Sequence, residues 1–68
     1  MFILTVVADG TTIIKSLANK EELDRLVKFI IEARIREGWI EETAPNQDRV
    51  FFHPERKKLL LLSWEEIL

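Results

Sequence analysis

Two stretches of this chain, Phe2-Ile3-Leu4-Thr5-Val6-Val7 and Leu59-Leu60-Leu61-Leu62, are apolar at odd and even positions alike. Side chains alternate across a strand, so such runs present apolar groups to both faces of a sheet, as central strands do. Only one segment, around Lys20 to Glu37, has the length and periodicity of a long helix. One helix covers one face of a small sheet. The other face then needs a short terminal element, a second copy of the chain or a different partner.

The local signals divide the chain into two hairpins around that helix. Asp9-Gly10 lies between β-branched runs and calls for a two-residue turn with positive φ at both positions. The turn sets Val6 against Ile13 and Leu4 against Lys15. Phe2, Leu4, Val6, Ile13 and Leu17 then share a core face, and Ile3, Thr5, Val7, Thr12, Ile14 and Ser16 a mixed one. Asn19 is a good N-cap, with Glu22 three residues on. Gly38 is placed to end the helix in the left-handed conformation. Leu23, Leu26, Val27, Ile30 and Ala33 form the expected buried stripe, widened by Ile31 and Ile35, with Arg34 near its middle and Phe29 at its edge. Residues 39–43 fit either a short strand or an extended connection before the loop 44–48. In the second hairpin, Arg49 to His53 and Lys58 to Leu62 flank Pro54-Glu55-Arg56-Lys57, with Phe52 facing Leu59 and Phe51 facing Leu60. Val50, Phe52, Leu59 and Leu61 make its fully apolar side, which is assigned to the helix. Ser63 and Glu66 have the spacing of a cap for a short last helical turn carrying Trp64, Ile67 and Leu68.

The expected fold is α+β, in the order β-β-α-β-β-(short α). A right-handed crossover places the last strand parallel to the first, giving a four-stranded mixed sheet in the order 2-1-4-3 with the helix on one face. The opening Met1-Phe2-Ile3, the turn at Asp9-Gly10, the stretch Pro45 to Phe52 and the segment Leu62 to Ile67 are similar to ubiquitin-like proteins. The layout thus resembles the β-grasp. That resemblance implies topology alone, since no Gly-Gly for conjugation ends the sequence.

Sixty-eight residues imply one domain, 1–68, near the lower size limit for unaided folding. There is no cysteine and one histidine, so neither a disulfide nor a histidine- or cysteine-based metal site is expected. A net charge of −2 favours neither nucleic acid nor an anionic membrane. No apolar run is long enough to span a bilayer, and the start lacks a basic signal region, so a soluble cytoplasmic protein is expected. Arg56-Lys57-Lys58 reads as a solvated hairpin tip. His53, near Glu55, lacks a nucleophile or pocket to work with. No enzyme, small-molecule substrate or cofactor is expected.

Function therefore rests on the uncovered sheet face. The candidate interaction surface is Ile3, Val7, Ile14, Phe51, Leu60, Leu62 and Trp64. It is covered by the last residues, by a second copy in a homodimer, or by another protein; otherwise the chain is a monomer. Turn, caps, helix charges and apolar faces agree closely enough to resemble a designed α+β domain without a biological role. The alternative is a small natural interaction or inhibitor module, of the kind a phage, mobile element or thermophile carries.

Overall fold

A computed structural model describes residues 1–42 and 48–67. The strands are β1 (Phe2–Ala8), β2 (Thr11–Leu17), β3 (Ile40–Glu42), β4 (Arg49–His53) and β5 (Lys58–Glu66), with one helix, α1 (Lys20–Arg36). They form one antiparallel sheet in the order β2-β1-β5-β4-β3, and α1 packs on one face of it.

The first hairpin follows its turn. Asp9 and Gly10 both have positive φ, 52° and 77°, and the register sets Val6 against Ile13 and Leu4 against Lys15. The helix follows its caps. The Asn19 side chain accepts from the Glu22 N–H at 2.9 Å, and the Glu22 carboxylate accepts from the Ala18 N–H at 3.2 Å. At the other end, Gly38 has φ +97°, and the N–H groups of Gly38 and Trp39 donate back to the carbonyls of Ile35 and Arg34. Together with the Glu37 N–H, which donates to Ala33 and Arg34, these bonds close the carbonyls of the last turn. Asn19→Ala should lower the unfolding free energy by about 1 kcal/mol, read from a urea melt, because it leaves the first turn with an unmet donor.

Beneath α1 lie two joined clusters. Leu4, Leu17, Leu23 and Val27 form one; Trp39, Phe51, Leu60 and Leu62 form the other. Val6, Ile30, Ile31 and Trp64 pack against both. Leu23 and Val27 are the buried residues of the helical stripe, whereas Ile35 turns outward and is 54% exposed.

Three expectations are corrected. First, the sheet has five strands and is antiparallel throughout, not four-stranded, mixed and ordered 2-1-4-3. Residues 40–42 form a strand straight after α1, and this extra pass reverses the direction of everything after it. The last strand still lands beside β1, but antiparallel to it, which departs from the β-grasp layout. Second, Trp64 to Glu66 are no helical turn. They continue β5, pairing with Leu4, Ile3 and Phe2, and the Ile67 N–H donates to the Met1 carbonyl. Pairing with a strand already in place outweighs the local capping signal. Third, the second hairpin keeps its expected register but presents the opposite face to α1. Residues 43–47, most of the expected loop, and Leu68 lie outside the described residues.

Candidate functional site

The face of the sheet away from α1 is built by alternation along each strand. Pairing sets Val7, Leu61 and Val50 side by side, with Leu59, Phe52 and Ile40 in the next row toward the hairpin turns. Ile3, Thr5, Ile14, Ser63 and Glu65 occupy the other end. Leu59 is 62% exposed, Ile14 66% and Ile40 55%; Val7, Val50, Phe52 and Leu61 half-cover one another. Val7, Val50, Leu59 and Leu61 line a shallow depression of about 530 Å³, bordered by Asp9, Gly10, Lys57 and Lys58. At that border Lys58 Nζ meets the Asp9 carboxylate at 2.9 Å. Among the described residues, no charge interrupts the apolar rows; Glu42 and the Asp9–Lys58 pair stand at their margin.

The candidate surface read from the sequence is therefore half kept. Ile3, Val7 and Ile14 lie on the open face. Phe51, Leu60, Leu62 and Trp64 do not: the first three are 0%, 4% and 0% exposed beneath α1, and Trp64 packs beside them. Their places are taken by Val50, Phe52, Leu59, Leu61 and Ile40. Trp64 to Glu66 do not cover the face either, because they belong to the sheet itself.

On the helix-side face His53 and Arg49 have partners, whereas Arg34 Nε and the Trp39 indole N–H are buried without one among the described residues. His53, 5% exposed, uses both ring nitrogens: Nε2 donates to the Glu37 carbonyl at 3.1 Å, and Nδ1 accepts from the Arg56 N–H at 3.2 Å. Trp39 meets its ring edge-on at 5.3 Å. These contacts make His53 a clamp between the end of α1 and the second hairpin. Arg49 forms two bonds of 2.6 Å with the Glu41 carboxylate across β3 and β4. The bonded Arg49 guanidinium holds the Glu41 carboxyl below its ordinary value of 4.5, against a smaller opposing effect of burial. The pair therefore contributes its full stability above that ordinary value and loses it as pH falls through the lower folded value. Arg49→Met should remove this part of the acid dependence, so its melting temperature should fall less than the parent's on acidification from about pH 5 to about pH 3.

Arg34, in the middle of the helical stripe, reaches Glu37 at 3.4 Å and lines a groove of about 350 Å³ with Leu26, Ile30, Ile13 and the β1 side chains Leu4 and Val6. Arg56 and Lys57 stand exposed at the hairpin tip. Among the described residues, no three His, Asp or Glu side chains are grouped to hold a metal ion, and no helix is long and apolar enough to cross a membrane. The feature to be explained is the open sheet face. Comparison with protein-family models, curated proteins and solved structures finds no match to this chain.

Proposed function

We propose that this chain is a protein-interaction module and that the open sheet face is its contact surface. One observation carries this reading. Six large apolar side chains, on β1, β3, β4 and β5, stand in two adjacent rows that no element among the described residues covers. Exposed apolar patches of several hundred Å² mark contact sites on proteins that are otherwise monomeric. The polar groups of Asn19, Glu22 and His53 serve the helix cap and the clamp on the other side of the molecule.

The test separates contact from folding. A triple variant, Val50→Thr, Leu59→Thr and Leu61→Thr, keeps strand-compatible side chains and removes the apolar rows. At high dilution it should stay folded, lose less than about 2 kcal/mol in a urea melt and lose its uptake of a hydrophobic dye. A core-sized loss, about 2 kcal/mol or more at each position, would mean that the face is needed for the fold and would overturn the reading.

A second reading, a designed domain without a biological role, draws on the agreement of local signals. The Asp9-Gly10 turn, the Asn19–Glu22 cap and the glycine closure after α1 all serve one structure. The open face weighs against it, because a designer keeps contiguous apolar surface small.

A further inference from the structure

We propose that β2 is a docking edge, and that its occupant is an extended, acidic segment of a partner protein added as a further strand beside Thr11–Leu17. This contact is separate from the open sheet face. The backbone supports it. The turn at Asp9-Gly10 is closed by the bonded pair Ala8–Thr11, and bonded and unbonded pairs then alternate along β1 and β2. Thr12, Ile14 and Ser16 fall at the unbonded positions, so their N–H and C=O groups point away from β1, along the outer edge. Among the described residues no strand meets them. The two edges of the sheet differ. β3, at the far edge, is three residues long and carries Glu41 and Glu42; short, charged edges discourage pairing. β2 has seven residues, with β-branched Thr11, Thr12, Ile13 and Ile14, and neither proline nor bulge. Ile13 and Ile14 are 60% and 66% exposed. Strand addition to such an edge gains main-chain hydrogen bonds, and side chains then select the partner.

Charge selects an acidic one. Lys15 is the one charged residue of β2, and it has no ion-pair partner among the described residues. On the helix side it lines the groove of about 350 Å³ with Ile13, Leu26, Ile30 and Arg34, and no carboxylate lines that groove. Arg34 already meets Glu37, so Lys15 carries the selection. An added strand sets alternate side chains beside Ile13 and Lys15, where a carboxylate meets opposite charge and a lysine is repelled. The same residue weighs against a second copy. Pairing β2 with itself about Ile14 makes the two Lys15 side chains diagonal neighbours on one face.

The probe is a synthetic peptide of about the length of β2, blocked at both ends, with glutamate at alternate positions and valine or threonine between. It is titrated into the full chain labelled with nitrogen-15. At saturation the amides of Thr12, Ile14 and Ser16 should exchange with deuterium at least about 10-fold more slowly, while those of Ile13 and Lys15, already bonded to β1, change little. Ser16→Pro removes one outward donor at an edge position that tolerates proline, and should weaken binding at least about 10-fold. Thr12→Pro gives the same test should the first variant fail to fold. Lys15→Glu should weaken binding of this peptide at least about 10-fold and strengthen binding of its counterpart with lysine for glutamate. No slowing at Thr12, Ile14 and Ser16 with peptide up to about 1 mM overturns the docking edge. So does binding that survives both proline variants and is lost in the Val50→Thr, Leu59→Thr, Leu61→Thr variant, because it places the peptide on the open face. Equal binding of the lysine peptide by the parent overturns the acidic partner. A dimer in sedimentation equilibrium that Ser16→Pro abolishes gives the edge to a second copy and overturns the partner protein.

Discussion

Phe51→Ala should leave most of the protein unfolded near 37 °C, while Phe52→Ala, one residue along the same strand, should leave it folded. Phe51 is fully buried among Trp39, Leu60 and Leu62. Truncating a buried phenylalanine costs about 3–5 kcal/mol in lost transfer energy and residual cavity. A domain of 68 residues holds only about 3–10 kcal/mol in total. Phe52 lies on the open face, half-covered by its neighbours, and should cost about 1 kcal/mol. Urea melts at high dilution compare the two without any contribution from association. The reverse order of effects would mean that the second hairpin turns its other side to α1.

Ending the chain after Ser63 should abolish the cooperative thermal transition. The five residues removed include the part of β5 that pairs with the first half of β1, and the side chain that packs against both core clusters. Trp64→Ala isolates the second effect and should cost about 3 kcal/mol or more. A shortened chain that kept its native circular dichroism and a sharp transition would show that residues 64–67 decorate the fold. That is the role a helical turn lying over the open face would have had.

These two expectations turn on what the sequence conceals. The hairpin at Asp9-Gly10, the bounds of α1 and the pairing of Phe51 with Leu60 are legible because each is set within a few residues, by a turn or a cap. The face that the second hairpin turns to α1 is not local. Its fully apolar side, Val50, Phe52, Leu59 and Leu61, looks like core, and Arg49, His53 and Lys58 make the other side look wet. The polar three are nonetheless accommodated beside the core, because Glu41, Glu37 and Asp9 reach them from distant parts of the chain. A signal was present in the parity of β5. Leu60, Leu62 and Trp64 form one unbroken apolar row, whereas Leu59 and Leu61 give way to Ser63 and Glu65. The strand at 40–42 carries little pattern of its own, since all three of its residues are exposed. Its pairing with β4 forms it, and with it the direction of the last two strands.

The place of β5 beside β1 also bears on how the protein is made. Phe2 pairs with Glu66, so one side of β1 has no strand to bond until residues 58–66 have been synthesised. Until then the nascent chain holds a hairpin with one bare edge, and a helix whose seat lacks Phe51, Leu60 and Leu62. Contacts so far apart in sequence form slowly, and a bare edge is a template for pairing with other chains. Adding residues 58–66 is therefore the step that closes the bare edge of β1 and completes the seat of α1.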